Sequence, residues 1–167
     1  MKNKKRSIYK DLTLALCLFF LSGFIACSHI EKELSEFISF SSEGMIKNKW
    51  YDFSFDLSEK YNQIEPSSFY DISIEVRYSG LFKYKNLPIV IECYNCTTDT
   101  INQYKVDIPL FDSGGEAVVK SKYGIFETQY KLENKVKLDS CVSYSLTTPL
   151  DNSEGIINLG LLIKEHL

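Results

Sequence analysis

YDISIEVRY, Tyr70 to Tyr78, alternates apolar and polar side chains without a break. Successive side chains of an extended chain point to opposite faces. Tyr70, Ile72, Ile74, Val76 and Tyr78 therefore share one side, and Asp71, Ser73, Glu75 and Arg77 the other. Such a segment is a half-buried strand.

The same period of two recurs on both sides of it. Upstream, WYDFSFDL sets Tyr51, Phe53, Phe55 and Leu57 against Asp52, Ser54 and Asp56. Downstream, NLPIVIECY carries Leu87, Ile89 and Ile91, and Val90 between them predicts cover on both faces. Pro88 has no amide proton for a ladder, which restricts that strand to a start or an edge position. YKVDIPLF continues with Tyr104, Val106, Ile108 and Leu110, and Pro109 again points to an edge or an end. After the turn DSGGEA, Phe126, Thr128, Tyr130 and Leu132 form one arm of an expected long hairpin. Beyond Glu133-Asn134, its other arm carries Val136, Leu138, Val142, Tyr144 and Leu146. DNSEG is a further turn, and IINLGLLI places Ile157, Leu159, Leu161 and Ile163 on one face. Roughly eight short strands and no helical period after Trp50 predict an all-β chain, an antiparallel β-sandwich over 50–167.

The N-terminal part reads differently. Lys2, Lys4, Lys5, Arg6 and Lys10 precede an apolar run from Leu12 to Ala26. That run is short of the roughly 20 residues that span a bilayer, so it reads as a secretory signal and not as an anchor helix. Ala26 directly before Cys27 resembles the lipobox of bacterial lipoproteins, with Phe24 where that motif prefers Leu. The resemblance implies cleavage of 1–26 and a diacylglyceryl group on the Cys27 sulfur. The polar, charge-mixed stretch behind it predicts a lipidated N-terminus and tether over 27–49, in which Phe37-Ile38-Ser39-Phe40 could add a short edge strand. Cleavage removes five of the 19 Lys+Arg and one of the 22 Asp+Glu, leaving a formal charge of about −7. That balance argues against a nucleic-acid partner and leaves the acyl chains as the membrane attachment.

Catalytic chemistry has little to work with. The two histidines, His29 and His166, lie near the ends of the mature chain, so no Ser-His-Asp, Cys-His or HExxH arrangement is expected. Asp52, Asp56, Asp71 and Glu75 fall on the polar parity of strands, a solvated face more than a paired-carboxylate site. No catalytic residue, metal or cofactor is expected. Cys93 and Cys96 form CYNC at a strand end, without the helix N-terminus that lowers a redox thiol's pKa. With Cys141 they make an incomplete zinc set. The expectation outside the cytoplasm is one disulfide, either Cys93–Cys96 or one of these with Cys141, and one free thiol. Asp99-Thr100-Ile101 resembles a bacterial O-glycosylation motif, although an ordinary loop-to-strand junction accounts for it as well.

Taken in order, the lipobox, Trp50 leading into Phe53-Ser54-Phe55, YDISIEVRYSGLFKYKNLPIVIE, DTI, LFDSGG and GIINLGLLIKE resemble the gliding motility-associated lipoprotein GldH family. The resemblance implies a non-enzymatic outer-membrane lipoprotein, on the periplasmic leaflet before the cell surface, working with protein partners in an envelope machinery linked to type IX secretion. Candidate partner contacts are Trp50, Arg77, Tyr84, Asn86 and Asp112, which face outward by parity or lie in loops. Each has an ordinary role open to it: Trp50 as a core cap, Arg77 paired with Glu75 or a cross-strand acid, Tyr84 in the core, Asn86 and Asp112 fixing turns. A different class, a surface lipoprotein binding carbohydrate, would use Tyr51, Tyr78, Tyr84 and Tyr123 as stacking platforms.

Overall fold

The alternating segments form eight strands: β1 (Glu33–Ser39), β2 (Tyr51–Asp56), β3 (Tyr70–Ser79), β4 (Asn86–Asn95), β5 (Thr100–Pro109), β6 (Ile125–Val136), β7 (Cys141–Thr147) and β8 (Ile156–Glu165). The computed structural model describes residues 33–56, 68–95, 99–138 and 141–166, all within the compact unit Lys32–Leu167. The signal segment, Cys27, Leu57 and Cys96 lie outside the described residues.

Two four-stranded antiparallel sheets face each other, in the orders β1-β8-β3-β6 and β2-β7-β4-β5. The expected β-sandwich is the fold. Among the described strands only β4 and β5 are sequence neighbours that pair; each other consecutive pair of strands lies in opposite sheets. This is the jelly-roll arrangement of two interleaved Greek keys.

The core is the set of inward positions that the period of two marks. Tyr70, Ile72, Ile74, Val76 and Tyr78 of β3 meet Phe53 of β2, Leu87, Ile89 and Ile91 of β4, and Tyr144 and Leu146 of β7 in one buried cluster. Each such side chain contributes about 1.5–3 kcal/mol by leaving water. Pro88 stands near the start of β4, beyond the last β4–β7 pair at Val90↔Thr147, where no ladder bond needs its amide. Its carbonyl accepts instead from Thr148 Oγ1 at 3.0 Å.

Four expectations need correction. The long hairpin does not exist, because β6 pairs with β3 in one sheet while β7 pairs with β2 and β4 in the other. Glu133-Asn134 is not its turn but part of β6, where the register slips against Tyr70 and Ile72 and Lys135 takes φ 55°. An extra residue absorbed this way bends a strand without ending it. In β8 the inward residue at the first turn of the alternation is Ile156, not Ile157, since the β3 register shifts between Arg77↔Asn158 and Tyr78↔Ile156. Finally, the edge strand open to Phe37–Phe40 within the expected tether is present but starts earlier, at Glu33: β1 pairs along its whole length with β8, from Glu33↔Lys164 to Ser39↔Asn158. Phe37 secures it by lying against Gly160, where any Cβ would collide with its ring.

Candidate functional site

Strand direction gathers four connections at one end of the sandwich: 40–50, 80–85, 110–124 and 148–155. The chain enters β1 at the opposite end, at Glu33. These four connections brace one another. Asn48 N–H donates to Thr148 O at 2.9 Å, and Leu110 and Phe111 N–H both donate to Lys85 O at 2.9 and 3.0 Å. Ser153 Oγ donates to Met45 O at 2.6 Å in the interior. Lys47 Nζ reaches Asp151 Oδ1 at 2.7 Å. The result is a platform of loops tied by their own backbones.

Apolar side chains stand out from it. Ile46, Trp50, Leu81, Tyr84, Val118 and Ile125 are all exposed, and Tyr123 is 93% exposed. Tyr123 holds φ 57° in the turn closed by Lys122 N–H to Ile125 O at 2.8 Å, which thrusts its ring into solvent. Lysines alternate with these rings in the sequence: Lys47 and Lys49 before Trp50, Lys83 and Lys85 around Tyr84, Lys120 and Lys122 before Tyr123. A net acidic chain thus places lysines and aromatics together at one end. Exposed apolar groups clustered in this way, ringed by polar ones, mark interaction surfaces.

Three of the five candidate contacts take part in this platform. Trp50 is 38% exposed at the end of the 40–50 connection. Tyr84 is exposed too, tilted against the buried ring of Phe82 at 5.6 Å between centroids. Asn86 opens β4, exposed and opposite Pro109. Asp112 is at the same end, but its carboxylate is committed to the local turn: Oδ1 accepts from Gly114 N–H at 2.8 Å and Glu116 N–H at 3.0 Å.

Arg77 is set apart, on the outer face of the β3-containing sheet. Its guanidinium donates through Nε to Glu127 Oε2 at 2.7 Å, lies 3.1 Å from Glu75 Oε1 and sits 5.3 Å from the centre of the Phe37 ring. Both pairings open to it, with Glu75 and with a cross-strand acid, are present. The Glu127 hydrogen bond raises its pKa further. Glu75 Oε1 is buried and not aligned for a hydrogen bond with Arg77 or any other described group. Burial pushes the Glu75 carboxyl above its ordinary value, Glu127 adds to the rise and Arg77 opposes it. Arg77 is thereby partly neutralised by its own sheet, and as an exposed pair it contributes no more than about 1 kcal/mol of stability.

The stacking set for carbohydrate is divided by burial. Tyr51 and Tyr78 belong to the core, and only Tyr84 and Tyr123 reach solvent. A shallow depression of about 220 Å³ on the outer face of the same sheet is lined by Asp71, Ser73, Gln129, Lys131 and Lys164, without an aromatic ring. Asp71 is the anchor of that region. Burial pushes its carboxyl up, but hydrogen bonds from Lys131 Nζ at 2.8 Å and the Lys135 amide at 3.0 Å, with His166 Nδ1 at 3.0 Å, outweigh this and hold it below its usual value.

Cys93 continues the inward row of β4 and carries a free thiol, half-buried, so it is not a bridge partner as two of the three expected pairings, Cys93–Cys96 and Cys93–Cys141, require. Burial pushes the thiol up, with a hydrogen bond to Tyr144 opposing and Glu133 reinforcing the rise. A thiol so placed is a poor nucleophile. Cys141 lies one residue beyond the last described β4–β7 pair, Asn95↔Val142. Thiol counting in denaturant on mature protein from an oxidising compartment is expected to give one thiol, mapped by peptide mass to Cys93, with Cys96 and Cys141 joined. A count of three, or a modified Cys96 with Cys93 protected, contradicts this.

Among the described residues no group of His, Cys, Asp and Glu side chains is placed to hold a metal ion. The fold defines the class, an eight-stranded jelly-roll sandwich with a braced loop platform at one end. No protein-family model matches the chain, and no curated protein matches it. Among solved structures it is similar to "PRD1 vertex protein P5", at 13% identity, 81% of this chain, 97% of that chain and a TM-score of 0.37. It is also similar to a Tobacco streak virus coat protein, at 8% identity, 81% and 87% coverage and a TM-score of 0.28. Neither similarity carries an argument about function.

The apolar residues Ile46, Leu81 and Val118 were not among the sequence candidates. Each lies in a different connection beside another apolar residue, and only the folding of these loops brings them to the same end. The alternation of lysine and aromatic in KNKW, KYK and KSKY was the available signal.

Proposed function

We propose that the chain is a non-enzymatic, lipid-anchored docking protein of the bacterial outer membrane, resembling the GldH family and serving an envelope assembly linked to gliding motility and type IX secretion. The observation that supports it is the exposed apolar and lysine-bearing platform at the end of the sandwich opposite the point where the chain enters β1. A diacylglyceryl group on Cys27 would hold the Glu33 end near the bilayer, because six residues reach at most about 20 Å. Ten-residue strands such as β3 then carry the platform roughly 33 Å further out. A docking surface needs that reach and a braced shape. It also needs a cluster of aromatic anchors, which dominate binding energy at interfaces.

The test is crosslinking of the lipidated protein in its own outer membrane, with affinity recovery and mass spectrometry of what accompanies it. A reproducible set of envelope or secretion proteins is expected, with crosslinks mapping to 46–50, 81–86 and 118–125. The triple substitution Trp50→Ala, Tyr84→Ala, Tyr123→Ala is expected to lower recovery at least tenfold without unfolding the chain, since all three rings are exposed. Arg77→Ala is expected to retain the partners, given its engagement within the sheet. Recovery of the lipoprotein alone, under conditions that capture neighbours of other proteins, would overturn the reading. A glycan array is expected to stay blank.

A further inference from the structure

Among the described residues, four strands are sheet edges: β1, β2, β5 and β6. Three of them are protected. β1 and β2 are short, seven and six residues, and the Ser54 amide of β2 is capped by Glu36 Oε2 at 3.2 Å. β5 ends in Pro109. Short length, proline and side-chain capping are the usual means of keeping an edge from pairing. β6 has none of these along Ile125–Leu132. With twelve residues it is the longest strand, it contains no proline, and its inward side chains Phe126, Tyr130 and Leu132 are only half-buried. Tyr104 and Val106 of β5 are half-buried in the same way, so length and freedom from proline are what set β6 apart.

The side chains of β6 specify which strand fits. An antiparallel partner of identical sequence, related by a two-fold axis through Gln129, sets Glu127 of one copy opposite Lys131 of the other, and Lys131 opposite Glu127. On the inward face, the same register sets Phe126 opposite Leu132 and Thr128 opposite Tyr130. Opposite charges and apolar pairs directly across an antiparallel ladder stabilise it. Glu127 and Lys131 are both more than half exposed, so each has a free side for a second partner. Within one chain Glu127 already pairs with Arg77 and Lys131 with Asp71. Across the axis these pairs would join into a ladder of alternating sign, Arg77, Glu127, then Lys131 and Asp71 of the second copy.

We propose that β6 pairs with β6 of a second copy of this chain, in the register centred on Gln129, making a continuous eight-stranded sheet across a two-fold dimer. The interface is isologous, the commonest form of self-association. It leaves the loop platform of each copy uncovered, since it uses the side of the sandwich and not its end.

The test uses the full chain in the cells that make it. Gln129→Cys brings two thiols together on the axis and is expected to give a dimer with a short bismaleimide. Glu127→Cys alone places its thiols about 14 Å apart and is expected to give little, whereas Glu127→Cys and Lys131→Cys chains made together should crosslink to each other. In the Gln129→Cys background, Glu127→Lys sets like charges across the axis twice and should lower the yield roughly tenfold. The double swap Glu127→Lys, Lys131→Glu should restore it. A purely intrachain role for these charges predicts no such restoration. The proposal is overturned by the absence of a Gln129→Cys dimer in protease-resistant chain, by equal crosslinking from Glu127→Cys alone, or by an adduct with a different protein in place of the dimer.

Discussion

Tyr78→Ala is expected to destabilise the chain by about 3–5 kcal/mol, the loss that follows truncation of a large aromatic in a close-packed interior. The ring is fully buried, stacks on Phe126 at 5.2 Å between centroids and meets Phe111 edge-on at 5.4 Å. It joins β3, β6 and the 110–124 connection at the base of the loop platform. Its hydroxyl donates to Leu110 O at 2.7 Å in the interior, and burial raises its pKa. Tyr78→Phe keeps the packing and removes one of two bonds to that carbonyl, which still accepts from Val118 N–H at 3.0 Å, at about 0.5–1.5 kcal/mol. Urea denaturation of the two variants should therefore separate ring from hydroxyl, with the larger share on the ring. Equal losses would mean that the hydrogen bond, not the aromatic cluster, holds the platform to the sandwich.

Gly155→Ala is expected to be nearly as damaging, above about 3 kcal/mol, for a reason of backbone and not of packing volume. Gly155 closes the turn before β8 at φ 95°, and its carbonyl accepts from Ser79 N–H at 2.8 Å. A Cβ there would collide with the Phe82 amide nitrogen and lie 2.9 Å from the Leu81 carbonyl carbon. The turn that would have to move to relieve this carries the bond to Ser79. Gly124 supplies the comparison: it also has positive φ, 77°, but open space where a Cβ would go. Gly124→Ala should lose only about 1 kcal/mol, from strain alone. Thermal unfolding of both variants distinguishes collision from strain, and similar losses would remove the collision argument.

The candidate site was legible residue by residue but not as a surface. Trp50, Tyr84 and Asn86 were identified by parity or loop position, and the structure collects them at one end. Asp112 lies there too, with its carboxylate spent on a turn, and Arg77 lies elsewhere, held by two acids. Parity states that a side chain faces outward without stating whether its neighbours already satisfy it. Burial likewise separated the tyrosines named as stacking platforms: Tyr78, on the apolar parity of its strand, is enclosed in the core, and Tyr123 is held out by a left-handed turn.

By itself, the sequence determined that this is a sandwich and which residues form its interior. Side-chain direction in a strand is a local consequence of backbone geometry, so a period of two survives any rearrangement of the strands. YDISIEVRY, YDFSF and NLPIVIEC kept the faces their alternation assigns. Tertiary structure alone decided which sheet each strand joins. Strand partners are chosen by long-range pairing, which leaves no periodic mark. Hence β6 and β7, adjacent in the chain and alike in pattern, lie in opposite sheets. The same choice lengthened the short edge strand open to Phe37–Phe40 into β1 from Glu33, left one side of β6 open, and brought four separate loops together as one platform.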